Sequence, residues 1–341
     1  MRELRLSTSK NKLEEKEDKS MNKYPLKVSY TAKSAIWGGQ VLARDWHKQG
    51  EGENIAETWE LSVRPKEMAT VLNGEAEGMT LEAYIEACGA DCVSPTYQIG
   101  DRFPLLVKLI DASDRLSVQV HPDDAYASQV EHDSGKTEMW YIVAAEPGAS
   151  IVYGLRDGVS REDFARAVEE RRLDEVMNTC PVLAGESYFI PAGMVHAIGA
   201  GILIAEIQQN SDLTYRVYDY DRRQADGSLR PLHTEKALEV IRPYTQEQID
   251  EIAFARGRGK GKTELLANSR YFQVEKREIR GGVSDEQGRG SFASLLCLKG
   301  EGELIFEGER FPIGKGDSYF LPAGMGKYRL KGTMTLIHSE L

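Results

Sequence analysis

The stretch GESYFIPAGMVHAIG at Gly185–Gly199 is written a second time, with changes, as GDSYFLPAGMGKYRL at Gly316–Leu330. A glycine turn, a run Ser-Tyr-Phe-Ile/Leu entering a core, and Pro-Ala-Gly as a sharp corner spell a strand, a bend and a second strand. Carried by both halves of a chain, such a unit predicts two β barrels of similar design. Aligned on Pro-Ala-Gly-Met, the copies differ where His196 stands in the first and Lys327 in the second. Glycine and proline serve backbone geometry, which both copies need. The imidazole serves something only the first half does.

Outward from this word the chain reads as short β-rich runs broken by Gly, Pro and Asp turns, such as ETWELSV and PLLVKLID before Val120 and the hairpin pattern Phe292–Gly324 near the end. Three helices interrupt them. Thr80 caps the first, with Leu81, Tyr84, Ile85 and Cys88 as its apolar stripe and Gly89 as its stop. The second follows Ser160, with Asp163 completing a capping box and Phe164, Ala167 and Val168 on one face. The third begins at Thr234 and runs through KALEVI. The fold class is mainly β, two barrels with a few added helices.

At 341 residues the chain has room for about two domains. Residues 1–20 are polar, rich in Lys and Glu and without periodicity, and read as a disordered tail. Residues 21–247 form the first, helix-decorated unit and 263–341 the second barrel; 248–262, which holds the basic run ARGRGKGK, is the linker. A net charge of −11 excludes a nucleic-acid surface, and no apolar run approaches the ~18 residues of a membrane span. The charged start lacks a secretory core. Four scattered cysteines, Cys88, Cys92, Cys180 and Cys297, suit a reducing cytoplasm and buried apolar roles.

In LSVQVHPDD (Leu116–Asp124), strand alternation puts Ser117, Gln119 and His121 on one face and Val118 and Val120 on the other. In GKTEMWYIV (Gly135–Val143) the same rule pairs Lys136 with Glu138. With His196 after the proline corner, Gln119, His121, Glu138 and His196 arise on consecutive segments as candidate ligands. Two imidazoles, a carboxylate and an amide oxygen suit one divalent transition ion per chain, zinc first among them, leaving the site at about +1. Asp123 and Asp124 read as turn and cap residues. His47, His132, His233 and His338 are left as ordinary core or surface histidines.

IWGG (Ile36–Gly39), LSVQVHPDD, GKTEMW, PAGMVHAIG and EIQQNSDLTYRVYDYDR (Glu206–Arg222) occur in that order, and from Tyr24 to the C-terminus the sequence resembles the type I mannose-6-phosphate isomerases of the cupin superfamily in their short bacterial form. The resemblance implies two cupin (jelly-roll) barrels plus helices, with zinc in the first. Gln119, His121, Glu138 and His196 match the family's zinc ligands, and Lys136, Glu206 and Arg216 match residues lining its active site. The second barrel, with Lys327 in place of the histidine, matches a non-catalytic cupin. The implied reaction interconverts mannose 6-phosphate and fructose 6-phosphate through an enediolate. Lys136 and Arg216, with Ser117, are candidates for holding the sugar phosphate, and Glu206, Lys136 and Arg216 for the chemistry; the proton-carrying base is left unassigned. The enzyme is expected to be a monomer or homodimer. Two other readings share parts of the pattern: a non-haem iron oxygenase, which also uses two His and a carboxylate, and a barrel that binds sugar phosphate without turnover.

Overall fold

Residues 21–52, 54–224, 226–257 and 263–341 are described by a computed structural model. Mostly apolar runs build two fully buried strands at the centre of the first unit. LLVKLIDA forms β4 (Leu105–Ala112) and ILIAEIQQ forms β11 (Ile202–Gln209), every residue buried in both. They pair antiparallel at the centre of a six-stranded sheet completed by β2 (Thr31–Lys33), β3 (Glu57–Leu61), β6 (Glu138–Ala145) and β9 (Ser187–Ile190), in the order β2-β3-β4-β11-β6-β9. Strands covered on both faces need no alternation, so apolar residues dominate both runs and the few polar ones, Lys108, Asp111, Glu206, Gln208 and Gln209, are buried with them.

A five-stranded sheet lies opposite. Its order is β12 (Tyr215–Tyr218), β5 (Val118–Val120), β10 (His196–Ile198), β7 (Ser150–Leu155) and β8 (Met177–Pro181). Here alternation is clean. Val118, Val120, Ala197, Tyr215 and Val217 pack outward in a cluster with Phe164 of α4 (Arg161–Glu169) and with Ala237 and Val240 of α5 (Thr234–Val240). Gln119, His196 and Arg216 are therefore left on the inner face.

The second barrel is one sheet bent back on itself. Its order is β1 (Leu26–Val28), β17 (Ser318–Leu321), β15 (Ala293–Phe306), β18 (Gly326–Glu340), β14 (Gln273–Gln287) and β13 (Glu264–Asn268), with β16 (Glu309–Gly314) on β15. Three long strands bend where Gly281, Gly332 and Gly302 lie side by side. A Cβ on Gly332 would lie 2.5 Å from the Glu301 carbonyl oxygen and from Gly302 Cα, so only glycine fits that crossing. The bend encloses a separate core of Leu295, Leu304, Tyr319, Leu330, Leu336 and their neighbours.

The repeated word is a strand, bend and strand in both places: β9 to β10, and β17 to β18, with Gly193 and Gly324 both at positive φ. The three expected helices are present. α2 (Leu81–Cys88) is capped by Thr80 and stopped at Gly89, and α4 carries the Ser160–Asp163 capping box. Three more were not anticipated: α1 (Val41–Trp46), α3 (Asp124–Val130) and α6 (Gln246–Ala253). Asp123 is the N-cap of α3.

Two features of the structure lie at the expected domain edges. The linker expected at 248–262 begins inside α6, which has its own capping box between Thr245 and Gln248 and buries Ile249 and Ala253 against the main core. Residues 258–262, like the tail 1–20, lie outside the described residues. At the other end, β1 leaves the first unit to pair with β17, Leu26 opposite Phe320 and Val28 opposite Ser318. A buried ion pair tightens this junction: Lys48 Nζ lies 2.7 Å from Glu60 Oε1 and donates to the Gly316 carbonyl at 2.8 Å, while Ser318 Oγ donates to Glu60 Oε2.

Candidate metal centre

Register across the five-stranded sheet assembles the site. His196 on β10 is directly opposite Gln119 on β5, and Gln119 is directly opposite Arg216 on β12. Opposed residues of an antiparallel pair point to the same side, so all three face the barrel interior. His121 follows Gln119 by two positions and shares that face. Glu138 opens β6 on the facing sheet. One ligand atom from each of His121, Glu138 and His196 lies within 4.8 Å of the others, and all three residues are buried.

The hydrogen bonds settle which ring nitrogens are bare. His121 Nδ1 is 2.7 Å from the Leu213 carbonyl and His196 Nδ1 is 2.8 Å from the Met194 carbonyl. A carbonyl accepts only, so each Nδ1 carries the proton and each Nε2 presents a lone pair. Those two Nε2 atoms face each other at 3.1 Å, and Glu138 oxygens lie 3.5 Å from His121 Nε2 and 3.4 Å from His196 Nε2. Burial, with the Lys136 charge adding to it, holds His121 well below the usual histidine range. His196 is lowered to about 4, chiefly by burial. Both rings are thus neutral at pH 7. Neither Glu138 oxygen has a hydrogen-bond partner, and the Lys136 ammonium forms an ion pair with Oε2 at 2.7 Å. Two imidazole lone pairs and a carboxylate converge in a buried space beside the Lys136 ammonium, a donor set that fits a divalent metal ion.

Gln119, the fourth expected ligand, is half-buried beside His196 in register. Ser117 is buried just before β5. Lys136 sits at the centre rather than at its edge, its Nζ 3.2 Å from His121 Nε2. Glu206 is 3.9 Å from Lys136 and accepts from Trp140 Nε1 at 2.9 Å through Oε2, while its buried Oε1 has no hydrogen-bond donor. It therefore steadies the lysines and not the histidine rings.

Lys108 escaped the sequence reading. It is buried in the middle of β4, opposite Glu206 on β11 and Trp59 on β3, 3.4 Å from Glu206 and 3.6 Å from Glu57. Burial works against its charge, but Glu57, Glu206, Asp212 and Glu138 outweigh that and raise its pKa. The signal was present: a lysine inside the mostly apolar run PLLVKLID has to be paired indoors. Lys327, the second copy's counterpart of His196, is exposed on β18 opposite Glu286. Among the described residues no second metal-type cluster occurs.

Two facing sheets closing on a histidine–carboxylate centre, followed by a second barrel without one, define a two-barrel cupin with a metal-ligand site. Residues 25–167 match the family model for the phosphomannose isomerase type I catalytic domain, and residues 261–341 that for the mannose-6-phosphate isomerase cupin domain. The chain is 37% identical over 335 residues to a mannose-6-phosphate isomerase of Bacillus subtilis, covering 94% of this chain and 100% of that one. The crystal structure of a mannose 6-phosphate isomerase from Bacillus subtilis superposes with a TM-score of 0.84 at 35% identity, over 93% of this chain and 99% of that one. A zinc-bound mannose 6-phosphate isomerase shares the fold, with a TM-score of 0.73 at 16% identity, over 92% and 98% of the two chains. The chain belongs to the type I phosphomannose isomerase family.

Proposed function

We propose that the chain interconverts mannose 6-phosphate and fructose 6-phosphate, using one zinc ion held by Gln119, His121, Glu138 and His196. The observation that carries this is the convergence of His121, Glu138 and His196 within 4.8 Å, lone pairs inward, beside a buried lysine and a second carboxylate. The zinc supplies positive charge to stabilise the substrate oxygen on which negative charge develops. The rest is done by side chains. Lys136, wedged between His121 and Glu138, donates to a substrate oxygen at the reacting end. Glu206 has one oxygen fixed by Trp140 and the other without a hydrogen-bond donor, and we assign it the proton moved between C2 and C1. Lys108, 3.4 Å away, holds Glu206 in place. Arg216, two strands from His196 and hence about 10 Å away, takes the phosphate. Ser117, near Gln119, contacts the sugar.

All these residues come from the first unit, so the barrel at 263–341 is assigned a non-catalytic, buttressing role and each chain works alone or in a homodimer. No helix among the described residues is long and apolar enough to cross a membrane. Four free cysteines support a cytoplasmic setting. A paired lysine and a carboxylate poised for proton transfer favour isomerisation over dioxygen chemistry or binding without turnover. The test is a coupled assay for fructose 6-phosphate formation from mannose 6-phosphate, together with elemental analysis and exchange of solvent deuterium into the sugar. An active wild type with Glu206→Gln reduced by ~10²–10⁴ in kcat at full metal content supports the assignment. A metal-loaded wild type that neither isomerises nor exchanges deuterium refutes it.

A further inference from the structure

The segment after β12 folds back over that strand and brings three guanidinium groups together. His233 N–H donates to the Arg216 carbonyl at 2.7 Å, and Arg216 N–H donates back to His233 Nδ1 at 3.2 Å, pinning the far end of the strap. The near end is held by Asp219, which is only 5% exposed. Its carboxylate accepts from Arg222 Nη2 at 2.6 Å, from Arg230 Nε at 2.7 Å and from Arg230 Nη2. Tyr220 and Asp221 take left-handed backbone conformations to turn the chain there. Such conformations in non-glycine residues persist where the surroundings over-determine them, as this salt-bridged turn does.

The three arginines differ in what they have left over. Arg222 is consumed by Asp219, by Asp114 at 3.1 Å and by the Arg115 carbonyl. Arg216 has no carboxylate partner among the described residues: Nη1 donates to the Pro231 carbonyl at 2.9 Å, and Nε is buried with no partner. Arg230 spends Nε and Nη2 on Asp219 and keeps Nη1. It lines a cavity with Ser34, Ala35, Ile36, Asn54 and Gln224, where the chain leaving β2 meets the strap. Pro231, whose carbonyl Arg216 holds, is the next residue, so both arginines are tied to one short stretch of the strap. Three arginine charges against Asp219 and Asp114 leave an excess of one positive charge at this rim of a net-acidic protein. Burial, with the Arg230 charge adding to it, lowers the Arg216 pKa. Like charges are held together at such a cost where an anion will sit between them.

We infer that Arg230 joins Arg216 as the second guanidinium of a phosphate-monoester subsite, and that Asp219 is the positioning residue that aims it. This rests on the isomerase reading and deepens it: the reacting carbons lie at the histidine cluster, and the phosphate at the far end of the sugar reaches the strap. A single arginine offers one fork. Two forks set by a shared carboxylate can cover a dianion's three outer oxygens.

The test uses the metal-loaded full chain and three variants, Arg230→Ala, Arg230→Lys and Asp219→Asn, with two readouts: kinetics on mannose 6-phosphate and on free mannose, and calorimetric binding of inorganic phosphate. Arg230→Ala should raise KM for mannose 6-phosphate about tenfold or more, weaken phosphate binding by a similar factor, and slow the reaction of free mannose by a much smaller factor. Arg230→Lys should recover part of the loss, because charge without the fork is a weaker phosphate ligand. Asp219→Asn should raise KM in the same direction with metal content unchanged. Unaltered KM and phosphate affinity in Arg230→Ala overturns the inference, as does an equal loss on both sugars, which would make the strap a structural brace. Phosphate binding is read without turnover, so a wild type that binds phosphate through Arg230 but does not isomerise refutes the isomerase reading and leaves the anion site standing.

Discussion

His121 and His196 turn their Nε2 atoms toward each other at 3.1 Å while each Nδ1 is tied to a backbone carbonyl. Two imidazoles locked in this way cannot relieve each other, since neither can present a proton without breaking its carbonyl bond. Glu138 adds two more acceptor oxygens. Together they form the nitrogen and oxygen donor set that a divalent cation takes.

Removal of one ring should therefore release the metal. His196→Ala should weaken metal binding roughly 100-fold or more and abolish turnover, and a chelator should silence the wild type. The barrel keeps its own core, so circular dichroism should remain native. Full activity in a metal-free sample would contradict the site.

Writing histidine into the second copy should do nothing of the kind. Lys327 is exposed and faces Glu286 in register, with no partner cluster behind it. Lys327→His is expected to keep the wild-type ratio of metal to protein. A doubled ratio on elemental analysis would show a second site.

Lys108 gives a prediction in which stability and activity fall together. Lys108→Met removes the cation shared by the half-buried Glu57 and the buried Glu206 and leaves Glu206 without that partner. Breaking a buried pair from one side costs about 3–5 kcal/mol. Denaturant unfolding should show that loss, and kcat/KM should drop at least about tenfold with metal retained. Wild-type stability in this variant would mean that the carboxylates are screened by solvent.

Acid should act on the second barrel through His338. This ring is buried on β18, its Nδ1 has no partner, and burial, with Arg277 adding to it, lowers its pKa to about 3. The unfolded chain takes up a proton below the ordinary value of 6.5, while the folded chain stays neutral. Where the unfolded state binds more protons, stability rises with pH, so stability is full above about pH 6.5 and falls as pH drops toward 3. The loss from this group alone is on the order of 2 kcal/mol at pH 5. His338→Leu should flatten that part of the stability–pH curve, and an unchanged slope would assign the acid sensitivity elsewhere.

Much of this was legible in one dimension because it is local chemistry. Strand alternation placed Gln119 and His121 on the face away from Val118 and Val120, and the packing of those valines on the helices agrees. The Ser160–Asp163 box and the Thr80 cap are contacts three residues apart, written in adjacent letters. Short or partly polar helices such as α1 and α6 went unread because their burial is decided by what they lie against.

The sequence by itself determined the strands, the corners, the doubled barrel and the few polar residues that had to face inward, because periodicity and turn residues act within a few positions. Only the tertiary structure decided which of them meet. Register between strands distant in sequence set Glu206 opposite Lys108 and Arg216 opposite Gln119, and it carried β1 into the second sheet. A lysine in an apolar run announces that it needs a partner; which carboxylate answers depends on how the sheets align, and that is settled by the packing of the whole core.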